Sequence, residues 1–71
     1  MEFEDRKIVL EHGFIEINIS EKGKEYQKYY EIEFYVEYEL KQYNVFKYKT
    51  FNSLHDAYKW YKKIDLDMKG I

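Results

Sequence analysis

The sequence contains no cysteine and no proline, and glycine occurs only at positions 13, 23 and 70. Without cysteine there is no disulfide to staple a small fold and no thiolate for catalysis or metal binding. Without proline, punctuation falls chiefly to the three glycines. Long apolar runs are missing as well. The longest purely aliphatic one is Ile8-Val9-Leu10, far short of the ~20 residues that span a bilayer. No basic segment precedes an apolar one, so no secretory signal is expected and a cytoplasmic location is. Serine is limited to Ser20 and Ser53, each at a turn or cap position, and the two histidines, His12 and His55, stand in no motif with either. That leaves nothing for nucleophilic catalysis, no ligand set for a metal and no glycine-rich phosphate loop. The expectation is a non-enzyme without cofactor or metal. Repeats, low-complexity tracts and linkers are absent too, so residues 1–71 form one domain. A chain of this length buries only a modest core.

What is present is aromatic and charged. Aromatic residues make up 21% of the chain, nine of them Tyr, which bring much apolar area per residue and tolerate half-wet positions. The net charge of −2 is unevenly spread. Residues 1–40 hold eleven acidic and five basic side chains, whereas residues 41–71 hold three acidic and seven basic. Such a chain is electrically polar along its length, which supports attraction between its halves and can orient a partner.

The segment "YYEIEFYVEYEL", residues 29–40, alternates with the period of a strand. Tyr30, Ile32, Phe34, Val36, Tyr38 and Leu40 fall on one face, and Glu31, Glu33, Tyr35, Glu37 and Glu39 on the other. Downstream, "FNSLHDAYKWYKKI" spaces Leu54, Ala57, Tyr58, Tyr61 and Ile64 along one helical stripe. Asn52 or Ser53 can cap it, Asp56 suits its positive end, and Lys59, Lys62 and Lys63 lie away from the stripe. Trp60 falls at the stripe's edge and is expected to be half exposed. The helix should run over about 53–64, with a frayed tail at 65–71.

Between these two elements, "VFKYKTF" reads as a strand over about 44–51. Matching like faces would set Leu40 against Phe46, Tyr38 against Tyr48 and Val36 against Thr50. Glu39 would then meet Lys47, and Glu37 would meet Lys49, each pair contributing about 0.2–1 kcal/mol. A slip of two residues keeps this logic by pairing Glu37 with Lys47. A slip of one would turn the lysines toward the core and is not expected. Upstream, "GFIEINIS" alternates Ile15, Ile17 and Ile19 on one side, and Gly23 in "SEKGK" suits a tight turn with a bulge. A three-residue loop there puts odd residues inside on both strands, in conflict with the even core face of 29–40. A longer loop would reconcile the two, as would a bulge within "EYQKYY", and a bulge around Tyr29–Tyr30 is the favoured reading. "KIVLEH" reads as a short strand or an extension of the next one, bent at Gly13, with a short helix over 2–12 as the alternative; the β-branched Ile8-Val9 pair favours strand.

These elements sum to an α+β domain: an antiparallel meander of three or four strands, over about 7–20, 25–40 and 44–51, with one C-terminal helix on one face. The helix stripe should cover Ile15, Ile17, Ile19, Phe34, Val36 and Phe46. The open face should carry Glu16, Glu31, Glu33, Tyr35, Glu37 and Glu39 with Lys47 and Lys49.

Two resemblances bear on function. The stretch "VFKYKTFNSLHDAYKWYKKI", residues 45–64, resembles the end of the small DNA-binding domain at the N-terminus of many phage and transposon integrases, with Phe51, Ser53 and Ala57 at matching places. That resemblance implies a three-stranded sheet on a C-terminal helix and nucleic-acid binding. The glutamates of this sheet would repel phosphates, so the contact would fall to Lys47, Lys49, Lys59, Lys62 and Lys63. In size, acidity and tyrosine content the chain also resembles small phage-encoded inhibitors of host enzymes or defence systems, anti-CRISPR-like proteins among them, some of which mimic DNA. Alternate carboxylates on a strand recur every ~6.6 Å and form an anionic line that can occupy a basic cleft. This implies a protein partner, with nucleic-acid-binding enzymes as candidates, engaged through Glu31, Glu33, Tyr35, Glu37 and Glu39 with Trp60 as an aromatic anchor. An aromatic-rich edge strand also admits homodimerisation.

Overall fold

The computed structural model describes residues 6–70. Four strands, β1 (Lys7–Leu10), β2 (Gly13–Lys24), β3 (Gln27–Leu40) and β4 (Val45–Phe51), form one antiparallel sheet in the order β1-β2-β3-β4. One helix, α1 (Leu54–Lys69), packs on one side of it. The α+β meander expected from the periodicities is therefore the fold. The segment from Lys7 is strand rather than helix; residues 2–5 of the alternative helix lie outside the described residues.

Loop parity decides which residues share a face. Between β1 and β2, Leu10 pairs with Gly13 across Glu11-His12. A side chain at 13 would run into the Glu37 carbonyl oxygen of β3, so only glycine allows this approach. Between β2 and β3 the loop is Glu25-Tyr26, and Lys24 pairs with Gln27. A two-residue loop pairs odd with even positions, so Ile15, Ile17 and Ile19 meet Val36, Phe34 and Ile32 directly. The expected three-residue loop is thereby corrected, and so is the bulge near Tyr29–Tyr30: both residues sit in uninterrupted pairing with Lys22 and Glu21. Gly23, at φ 94, supplies the left-handed residue just before the turn.

The loop between β3 and β4 contains a short 3-10 turn, Lys41–Tyr43, ended by Asn44 at φ 56 and ψ 42. Asparagine is among the few residues that adopt this conformation readily. Four loop residues again pair even with odd, so Leu40 meets Val45, Tyr38 meets Lys47, Val36 meets Lys49 and Phe34 meets Phe51. This is the one-residue slip that the alternation spoke against. Lys47 and Lys49 lie on the helix side of the sheet, while Phe46, Tyr48 and Thr50 lie on the open side; Phe46 is not in the core. The slip is tolerated because β4 is an edge strand. Its lysines stay exposed beside the helix with their heads in water, and Val45 and Phe51 at its two ends pack against the core.

The core consists of Ile15, Val36, Tyr38, Ala57 and Tyr61, ringed by partly buried Leu10, Phe34, Leu40, Val45, Phe51, Trp60, Ile64 and Met68. Ser53 caps α1, its hydroxyl accepting from the Asp56 backbone N–H at 3.3 Å. Leu54 and Tyr58, expected on the apolar stripe, are 41% and 46% exposed. Trp60 and Met68 pack in on the other flank of the helix. The helix continues to Lys69, which corrects the frayed tail: Asp65 is buried and Met68 touches the core.

The sheet has four strands only where β1 and β4 overlap. Beyond the Ile17–Phe34 pair, β2 and β3 continue alone to the turn as a two-stranded arm. At ~3.3 Å per residue the arm adds about 23 Å, which accounts for a molecule of 53 × 24 × 19 Å.

Candidate functional site

The strand alternation and the two loops together build a face of unusual composition opposite the helix. From β3 come Glu31, Glu33, Tyr35, Glu37 and Glu39; from β2 come Phe14 and Glu16; from β4 come Phe46 and Tyr48. Across the strands Phe14, Glu37 and Tyr48 form one row, and Glu16, Tyr35 and Thr50 the next. Rings and carboxylates thus alternate both along and across the sheet.

The rings form a connected stripe. Phe14 lies 6.0 Å from Tyr35, Tyr35 6.1 Å from Tyr48, and Tyr48 5.7 Å from Phe46, centroid to centroid, all tilted. These separations suit favourable ring pairs. At the β4 end the stripe is open to solvent, with Phe46 51% and Tyr48 63% exposed. The Tyr35 hydroxyl donates to Glu37 Oε1 at 2.9 Å. That hydrogen bond, followed by partial burial and the surrounding carboxylates, raises the Tyr35 pKa above its ordinary value, so the ring keeps its proton. Lys7 sets its ammonium 4.5 Å from the centre of the Phe14 ring, a cation–π contact on this same face.

The expected glutamates therefore share one face, but without the expected counter-ions. Lys47 and Lys49, read as partners of Glu39 and Glu37, are on the other side of the sheet. Glu31 has Lys22 at 3.9 Å. Among the described residues, Glu16, Glu33 and Glu39 have no ion pair. Trp60 is separated from this face by the sheet itself and packs on Phe51 at 5.7 Å, so it is not one of the face's anchors. The rings that do stand on this face beside Tyr35 are Phe14, Phe46 and Tyr48. Phe14 was legible from the alternation that places Ile15 inside. Phe46 and Tyr48 were not, because their side depends on the loop.

The same slip gathers the cations. Lys47 and Lys49 join Lys59, Lys62 and Lys63 on the helix side. Lys49 lies 5.4 Å from the Phe51 ring centre, and Phe51 in turn packs on Trp60. Phe51, Trp60, Lys59, Lys62 and Lys63 line a shallow depression of about 610 Å³, with Asp56 as its one acid. Among the described residues none of these five lysines pairs with a carboxylate.

A further polar cluster fastens the helix to the sheet. Tyr38 donates to Asp65 Oδ1 at 3.2 Å, Lys69 Nζ sits 3.2 Å from Asp65 Oδ2, and His12 Nε2 is 3.9 Å from the same carboxylate. The His12 backbone N–H donates to the Tyr61 hydroxyl at 2.8 Å. Burial pushes the Asp65 carboxyl up, but the hydrogen bonds from Lys69 and Tyr38 outweigh it and hold the group below its ordinary value. Burial, then the bond to Asp65, pushes the Tyr38 hydroxyl up to about 12. Every member has a partner within the fold, so the cluster is a structural lock. Among the described residues no group of three or more potential ligands could hold a metal, and no helix is long and apolar enough to cross a membrane. No family model, curated protein or solved structure matches the chain.

Proposed function

We propose that the chain is a protein-binding module whose open sheet face docks on a cationic protein surface, and that it inhibits where that surface otherwise holds nucleic acid. The observation that carries this reading is the register of β4. By turning Lys47 and Lys49 away, it leaves Glu37 and Glu39, with Glu33 farther along β3, on a face whose remaining cations among the described residues, Lys7, Lys22 and Lys24, lie toward β1 and the arm. Carboxylates that merely solvate a surface are usually interspersed with cations; here they alternate instead with rings. Exposed aromatics supply contact area at low entropy cost, and the acids supply steering and the choice of partner. The contact of Lys7 with Phe14 is a small instance of what the whole stripe offers to a row of ammonium groups.

A lysine-rich helical peptide titrated into isotope-labelled protein tests the reading. Resonances of Phe14, Tyr35, Phe46 and Tyr48 should shift, the affinity should fall with salt, and the exchange Glu33→Lys/Glu39→Lys should remove the response. Shifts confined to α1, or none at all, would overturn it. Random DNA at low salt should not be retarded in a gel. Retardation that Lys59→Glu/Lys63→Glu abolishes would favour a nucleic-acid-binding module acting through the helix side instead.

A further inference from the structure

The two charged faces lie on opposite sides of one sheet and complement each other in sign, in chemistry and in spacing. We infer that the open sheet face receives the lysine-bearing helix side of a second copy, so that copies associate front to back. This rests on the reading of the open face as a dock for a cationic protein surface, and it names the occupant.

On the front, Glu33 and Glu39 have no ion partner among the described residues, and Phe46 and Tyr48 are more than half exposed. On the back, Lys59 and Lys63 are exposed and equally unpartnered. One turn of helix separates those two lysines by about 6 Å along the axis, close to the ~6.6 Å between Glu37 and Glu39, alternate residues on the open face of β3. Ammonium groups delivered at that pitch reach carboxylates and ring faces together, as Lys7 already does at Phe14. Sign dictates the mode of association. Front against front would oppose carboxylates, and back against back would oppose lysines. Only the heterologous arrangement is attractive, and it leaves one free front and one free back on every pair, so association continues to a ring or an open stack.

Sedimentation velocity over a range of concentrations decides the matter. At low ionic strength the weight-average mass should rise above the 8.9 kDa of the monomer as concentration increases. It should return to that value near ~1 M salt, where the screening length is about 3 Å. The front variant Glu33→Lys/Glu39→Lys and the back variant Lys59→Glu/Lys63→Glu should each be monomeric alone, with circular dichroism like that of the unaltered chain. An equimolar mixture of the two should associate again. A chain that stays monomeric at every concentration, one whose association ignores salt, or a mixture that fails to associate would overturn the inference. If the chain is monomeric and the lysine-rich peptide still shifts the front resonances, the front binds a different cationic partner and only the front-to-back pairing falls. If the peptide also fails, both fall together. Single-stranded DNA that binds the back of a monomeric chain would assign that side to an anionic polymer and would count against a second copy.

Discussion

Residues 13–17 and 18–24 belong to the same strand, yet they inhabit different environments. In the first stretch Ile15 is fully buried under α1; four residues on, on the same side, Ile19 is 43% exposed. The alternation of apolar residues does not change at that point. The cover does: β1, β4 and the helix all lie over the body, and the arm beyond Ile17 has only its own partner strand. Ile32 and Tyr30 repeat the lesson on β3, at 48% and 67% exposure. The arm is held by its ladder and by the exposed pairs Lys28–Glu21 and Lys22–Glu31, at 3.0 and 3.9 Å, and such pairs contribute about 0–1 kcal/mol each. A two-stranded ribbon with no cover is marginal in water. Stability therefore resides in the body, and reach resides in the arm.

Four measurements would sharpen or break this contrast. Truncating the buried member of the pair, Ile15→Ala, should cost about 2–5 kcal/mol, a large share of the roughly 4–10 kcal/mol available to a chain of this length. Ile19→Ala should cost under about 1 kcal/mol. Urea midpoints of the two variants test the difference, and equal losses would mean that the arm is covered in solution.

Next in size is the lock at Asp65. Asp65→Asn should cost about 1.5–3 kcal/mol at neutral pH, the range for hydrogen bonds to a charged group. The Asp65 carboxyl lies below its ordinary 3.8 in the fold. Its contribution is therefore complete above that value and is lost as pH falls through the folded pKa. The stability gap between the two proteins should close in acid, and a gap that persists there would assign the effect to packing alone.

Excising the arm should matter less. Joining Ile19 to Ile32 through a two-residue turn removes residues 20–31 and should leave the unfolding midpoint within about 1 kcal/mol of its starting value, with the near-ultraviolet spectrum of the body retained. Collapse of the fold would show that the arm helps to build the core.

The smallest global effect should come from Gly23→Ala. A side chain there is strained at φ 94 and meets the Gln27 carbonyl oxygen. Amide protection should fall in the arm while the body keeps its own, as befits a region of low local stability. Gly13→Ala, by contrast, forces a carbonyl of β3 inside the body and should lower protection throughout.

Much of this arrangement could be read without coordinates, and the exceptions have physical causes. The strand at 29–40 and the two-sided division of its residues followed from a period of two alone. A cap at Asn52 or Ser53, and with it the start of α1, followed from side-chain chemistry; the fold uses Ser53. The far end of the helix did not: Asp65 looks like the beginning of a polar tail, and only the proximity of Tyr38, His12 and Lys69 makes it a buried anchor. Trp60 is half buried, as its place at the stripe's edge suggests, but it packs behind the sheet on Phe51 and not on the acidic face it was expected to anchor.

The loops explain the largest departure. Counting apolar residues on β4 weighs Phe46 and Tyr48 against two lysines and favours the rings for the core. The fold weighs something else. A four-residue loop closed by Asn44 in the left-handed region fixes the parity, Val45 and Phe51 supply the packing, and an edge position lets Lys47 and Lys49 reach water.

The linear order of residues by itself determined which segments extend, which one coils, and that a line of carboxylates would stand on one side of β3, because those properties depend on local periodicity. Which rings stand among the carboxylates, where the lysines gather, and how far the arm outruns its cover were decided only when the chain closed. Each depends on loop geometry and on contacts between residues far apart in sequence, and no local pattern encodes those distances.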